Sequence, residues 1–268
     1  MSADLQLSPG GGAAPATRRV LAQARFEVSV LLRNGEQLLV SLVLPALALL
    51  ALARTPLGGL VAPASAAGGR LAELPLIDVV TPGVLGLAVL STAFTGQAIG
   101  LGFDRRYGVL RLMATTPLGR SGLLAGKLLA VLVVEVLQVV VLGGLALALG
   151  WSPLAAGPAA LPLLGLALLL GTAAFAALAL LLAGTLRAEA VLAVANLAWV
   201  LLAGAGLLVP REVTGALAPL VAVLPSAALG DAVRAAALDG SLAVVPCLVL
   251  LAWAAGATAL VVRTFRWS

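Results

Sequence analysis

Long apolar runs alternate with short polar ones along the chain. Gln37 to Ala53 carries no charge and holds Pro45, Val79 to Phe103 carries none, and Leu128 to Leu186 carries only Glu135. Ala190 to Pro210 and Gly240 to Val262 are again uncharged. A hydrocarbon core of about 30 Å is crossed by about 20 helical residues, so the run from Leu128 crosses twice. Its break is predicted at Trp151-Ser152-Pro153 and Gly157-Pro158. The pattern predicts an all-α membrane protein with six transmembrane helices, at about 37–53, 79–103, 128–150, 159–186, 190–210 and 240–262. An even number of crossings puts both termini on one side.

The segments between the runs have their own character. Residues 1–16 are rich in Gly, Pro, Ala and Ser with one charge, Asp4, and are expected to form a disordered tail ahead of a single transmembrane domain, 17–268. They lack the basic-then-apolar order of a signal peptide. Thr17 to Arg33 interleaves Arg18, Arg19, Arg25 and Arg33 with Val20, Leu21, Phe26, Val28, Leu31 and Leu32. That pattern suits an N-terminal interfacial helix; the alternative is an extension of the first span. Arg54 to Asp78 is a Gly/Pro/Ala-rich loop. Arg211 to Asp239 stays largely apolar but is broken by Pro219 and Pro225, which predicts outer re-entrant helices before the last span. Ser226 is the expected N-cap of the second, with Asp231 and Arg234 as i, i+3 neighbours on it.

Composition narrows the class. The 268 residues are 62% hydrophobic and 10% charged, too few charges to cover a soluble protein and too much apolar surface for a disordered chain. The absence of histidine excludes His-based zinc sites, Ser-His and Cys-His catalysis, and histidine relays. Cys247 is alone, which excludes an intrachain disulfide or a cysteine cluster, and it is expected to be a small buried hydrophobe. No metal site is expected. The net charge of +5 does not point to nucleic acid, because the basic residues sit between apolar runs and only 4% of residues are aromatic. Of the 16 basic residues, 12 fall on the side of the termini; Arg54, Arg70, Arg211 and Arg234 fall on the other. The positive-inside bias then predicts cytoplasmic termini in a multi-pass cell-membrane protein.

Gly122-Leu-Leu-Ala-Gly126-Lys127 has the look of a phosphate-binding loop but fails as one. It is one residue short before Gly-Lys, and Leu128 stands where a magnesium-binding Ser or Thr belongs. Gly126 is read as a helix-packing position and Lys127 as an interfacial anchor, so this chain is expected to bind no nucleotide and to have no catalytic residue.

The stretch from Phe103 to Lys127 is the most informative. Asp104-Arg105-Arg106, Gly108, the short apolar-basic helix Val109 to Ala114 with Arg111, the turn Thr116-Pro117-Leu118 and the lead-in Leu123 to Lys127 resemble the coupling segment of type-2 ATP-binding-cassette (ABC-2) permeases. Arg33-Asn-Gly-Glu-Gln-Leu-Leu with Pro45, and Leu224-Pro225-Ser226 through Arg234, are similar to the interface helix and outer re-entrant helix of that family, which includes daunorubicin and multidrug-resistance permeases. Tyr107-Gly108-Val109 and Asp104 depart from its commonest pattern. The resemblance implies the permease subunit of an ATP-driven exporter of a hydrophobic or amphipathic compound such as a drug, lipid or polyketide. It implies Mg-ATP bound and hydrolysed on cytosolic ABC ATPase subunits, a second permease copy or paralogue, and a cytoplasmic coupling helix contacting the motor.

Inside the spans, Glu135, Gln138 and Asn196 are the candidates for the translocation pathway. Ser91, Thr92, Thr95, Gln97 and Thr172 are read first as helix-packing groups. A charge at mid-span costs on the order of 2.5–3.5 kcal/mol. Glu135 is therefore expected to face a hydrated cavity with Gln138 beside it; the alternative is a hydrogen bond to a neighbouring helix. An ion-coupled secondary transporter using Glu135 is the competing function, on thin support, because such sites need paired acids or broken helices at the midplane.

Overall fold

The computed structural model describes residues 13–55 and 74–264, apart from the side chains of residues 212–214. Most of the predicted tail, most of the Arg54–Asp78 loop, and Arg70 and Arg266 lie outside the described residues. Helices follow in the order α1 (Ala16–Arg33), α2 (Gly35–Arg54), α3 (Leu76–Arg106), α4 (Val109–Ala114), α5 (Gly119–Ala148), α6 (Ala160–Thr185), α7 (Ala188–Gly204), α8 (Pro225–Asp239) and α9 (Val244–Thr264). No strand occurs among the described residues.

Five helices are long and apolar enough to cross a membrane: α2, α3, α5, α6 and α9. The bent pair Gly215–Val221 and α8 counts as a sixth only if it is one span, and α7 is a shorter apolar helix of 17 residues. Its path is fixed by an antiparallel register along α3. Glu189 pairs with Arg106, Val191 packs on Gly102, the Trp199 indole donates to Ser91 Oγ at 2.8 Å, and the Leu207 carbonyl sits against Gly83.

α3 is the central span, with 89% of its apolar window buried, whereas α2 and α9 bury 22% and 17% and turn most of their surface outward. Phe94 of α3 meets Phe175 of α6 at 6.2 Å between centroids. Leu229 of α8 fills the space that a side chain at Gly171 of α6 would take.

Pro45 shapes α2. It has no N–H to offer the Ser41 carbonyl four residues back, and its ring crowds that oxygen. The chain answers with a π turn over Leu39–Val43. A second π turn, Leu90–Gly96, lies in α3. The Gln138 amide of α5 joins the two regions, donating to the Ser41 carbonyl at 2.8 Å and to Thr92 Oγ1 at 2.7 Å.

Three predicted boundaries are corrected. α5 begins at Gly119 instead of 128, so the second half of the expected polar loop is helical. The fifth span ends at Gly204 instead of 210, because Gly206 takes φ +94° and lies against Ala227 of α8. Ser226 is not an N-cap. Pro225, with its preset φ, occupies the first turn of α8, and the Ser226 hydroxyl donates to the Ala205 carbonyl at 2.6 Å. A bent pair is present: Gly215–Val221 and α8 meet at 99°, the geometry of a broken span or of a re-entrant loop.

Candidate coupling and translocation surfaces

At the end of the bundle that carries α1 and the end of α9, the chain leaves α3 and turns sharply. Gly108 takes φ +74° and Gly119 takes φ +68°, a conformation that costs glycine little, and these two positions bracket α4. Leu110 of α4 is buried with Leu101, Leu123 and Ala183, beside Met113 and Leu118. The Thr115 and Thr116 hydroxyls donate to the Leu112 and Met113 carbonyls, each at 2.7 Å, closing the end of the helix. Gly119 N–H donates to the Thr116 carbonyl at 3.1 Å, completing a turn through Pro117 and Leu118.

Neighbouring elements brace this turn. The Arg19 guanidinium of α1 donates to the Pro117 carbonyl. Arg105 donates to the Leu186 carbonyl at the open end of α6, and Arg106 pairs with Glu189 at the start of α7. Gly126 lets α1 approach, since a Cβ there would stand 2.7 Å from Gln23 Cγ. Lys127 is more than an anchor. Its ammonium lies 2.9 Å from Glu27 of α1 and 2.8 Å from Asp104 of α3, with the Lys127 side chain only 12% exposed.

The outward face of α4 is left open. Arg111 is exposed, Leu112 is 68% exposed and Tyr107 71% exposed. Tyr107 stacks on Phe103 at 6.1 Å, and the Arg106 guanidinium lies 5.8 Å from its ring. The predicted coupling residues Asp104, Arg105, Arg106, Gly108, Arg111, Thr116, Pro117 and Leu118 thus occupy one braced segment. Leu112, Glu27 and Glu189 were not singled out from sequence, and Tyr107 only as a departure from the family's commonest pattern. Tyr107 is the one tyrosine of the chain, a signal that was available.

Residues 76–263, more than two-thirds of the chain, match the model of the ABC-2 family transporter protein family. The chain belongs to that family. No curated protein matches the sequence. The matched stretch opens with α3 and includes the whole braced segment, so this is the membrane subunit of an ABC-2 transporter, in a family whose ATPase is a separate subunit. α1 and α2 precede the matched residues.

The three predicted pathway residues do not come together. Glu135 is 6% exposed, and its Oε2 accepts from the Thr172 hydroxyl of α6 at 2.7 Å. Gln138 is 2% exposed and held by α2 and α3 as described. Both groups are buried against neighbouring helices, while Glu135 Oε1 and Gln138 Oε1 have no hydrogen-bond partner among the described residues. The Thr172 hydroxyl of α6 reaches Glu135, and the two π turns present polar atoms to Gln138. Asn196 is exposed on α7 and lines a different space, a cavity of about 550 Å³ bounded by α1, α2, α3, α5 and α7.

At the opposite end, α8 closes over the broken end of α7. Arg234 is 6% exposed and donates to the Gly206 carbonyl at 2.6 Å and the Leu207 carbonyl at 3.1 Å. These oxygens have no further helical turn to bond, so the guanidinium replaces it. Asp231 Oδ1 lies 3.2 Å from Arg234, and Arg211 lies 2.6 Å from Asp231 Oδ2. Gly230 allows the approach, because a Cβ there would overlap the Gly206 carbonyl.

Proposed function

We propose that this transporter is the permease subunit of an ATP-driven exporter, and that it moves a hydrophobic or amphipathic compound while separate cytosolic subunits bind and hydrolyse Mg-ATP. The observation that carries this reading is the α4 segment. It presents a basic and aromatic face to solvent, yet it is fixed at both ends to membrane spans. A motor that tilts a rigid element of this kind moves α3 and α5 with it.

In this reading the end bearing α1 and α4 faces the cytosol, both termini are cytoplasmic, and the protein sits in the cell membrane. Arg111, Leu112 and Tyr107 form the contact with the ATPase. Asp104, Arg105, Arg106, Gly108, Thr116, Pro117 and Leu118 hold that contact in place. Two permease chains, identical or paralogous, build the pathway, because α2 and α9 leave broad apolar faces outward. Ion-coupled transport through Glu135 finds less support, since Glu135 is engaged by a neutral hydroxyl from α6.

The test is co-expression with the partner ATPase, purification of the complex, and uptake of a lipophilic dye into inside-out vesicles. ATP-dependent uptake that survives an ionophore at constant ATP is expected. Uptake that collapses with the ionophore and proceeds without ATP would overturn the reading in favour of secondary transport.

A further inference from the structure

We propose that the cavity beside α1 is a loading site selective for amphipathic cations. This rests on the exporter reading for its purpose, but not for its chemistry. The cavity holds about 550 Å³, a volume suited to a drug-sized molecule. Four charged side chains line it: Glu27, Glu36, Asp104 and Lys127. Lys127 is already engaged by both Glu27 and Asp104. Three acids against one base leave an acidic surplus, and Glu36 contributes to it without a partner among the described residues.

A second observation points to a ligand. Thr95 lines the same cavity, is 4% exposed, and its hydroxyl has no hydrogen-bond partner among the described residues. Buried hydroxyls are ordinarily paired, and leaving one unpaired is costly. Thr95 lies nine residues before Asp104 on α3, about 13 Å deeper along the span. The cavity therefore runs from an acidic mouth at the membrane surface to a polar floor within the bundle.

Its walls suit the rest of an amphiphile. Val40, Ile99 and Leu192 give apolar surface. Gln97, Leu101 and Lys127 form a wall shared with an adjoining apolar space of about 710 Å³ between α3, α5, α6 and α9. A cationic head is attracted to the carboxylates at the mouth, while a greasy body meets apolar walls. An anion of the same shape meets the same walls but opposing charge.

The experiment uses the full-length permease in lipid nanodiscs, without ATP or ATPase. Equilibrium binding of tetraphenylphosphonium is compared with that of tetraphenylborate, a near-isosteric anion, after subtraction of empty discs. Saturable phosphonium binding with no saturable borate binding is expected. Glu36 is exposed in the first turn of α2, so its variants keep the fold, and melting temperature verifies this. Glu36→Gln should weaken phosphonium binding several-fold and Glu36→Lys about tenfold or more. Equal affinity for both ions, no saturable phosphonium binding, or an unchanged dissociation constant in Glu36→Lys overturns the proposal. A permease that binds phosphonium selectively but never pumps with its ATPase refutes export and leaves the site. One that pumps other amphiphiles yet binds both ions equally refutes the site and leaves export.

Discussion

The two ends of the bundle use charge in opposite ways. At the α8 end, Arg234 and Asp231 are turned inward, capping the open carbonyls of α7 and closing the fold on itself. At the α4 end, Lys127, Arg105, Arg106 and Arg19 also brace the chain, but they do so around a segment whose Arg111, Leu112 and Tyr107 remain in solvent. Similar residue types thus build a closed lid at one end and a braced, solvent-facing segment at the other. What decides is the helix they serve. α8 lies across the end of a broken span, whereas α4 is a short link between two continuous ones.

The sharpest way to break the contrast is at Arg234. Arg234→Leu leaves the Gly206 and Leu207 carbonyls without their donor in a buried setting and leaves Asp231 with Arg211 in place of two guanidinium groups. A loss of about 3–5 kcal/mol is expected, read as a large fall in melting temperature or in folded yield. Unchanged thermal stability would mean that the α8 end is not held by this group.

Lys127→Met is next. It leaves Glu27 and Asp104 facing each other across α1 and α3, both partly solvated, so about 1–3 kcal/mol is expected. Because α1 is tied here, protease cleavage within Ala16–Arg33 should also accelerate. Lys127→Arg should recover much of the loss; equal damage by both variants would argue for packing instead of charge.

Smaller effects belong to the polar groups between the ends. Gln138→Leu removes the bonds to Ser41 and Thr92, and an expected cost near 1 kcal/mol follows from measured helix–helix hydrogen bonds in membranes. Glu135→Gln keeps the contact with Thr172 and should change neither melting temperature nor cargo preference. A shift in cargo preference without loss of stability would restore Glu135 to the pathway.

Much of the architecture was legible because membrane spans are long and their charges few. The apolar runs located the five long apolar helices and the shorter α7, and Pro219 and Pro225 located the bent pair. Span ends were less legible. Gly204-Ala-Gly206 reads as apolar helix until one knows that Ala227 of α8 occupies the space beside Gly206. Glu135 misled for a similar reason. A lone acid in a span implies an expensive group, but whether it meets water or a hydroxyl depends on Thr172, 37 residues away in the chain. The short braced helix α4 and its turns were readable from the order of local motifs, whereas the acidic cavity was not. Glu27, Glu36, Thr95 and Asp104 are far apart in sequence and meet only because α1, α2 and α3 converge.

The central claim is that the α4 end, and not the α8 end, receives the ATPase. Leu112 on α4 and Leu220 before α8 are each 68% exposed, so they are matched probes of the two ends. A photo-crosslinking amino acid is placed at each position in turn, in cells that also make the partner ATPase. The account predicts an adduct with the ATPase from position 112 and none from position 220. An adduct from position 220, or none from position 112 in a complex that still co-purifies, would contradict it.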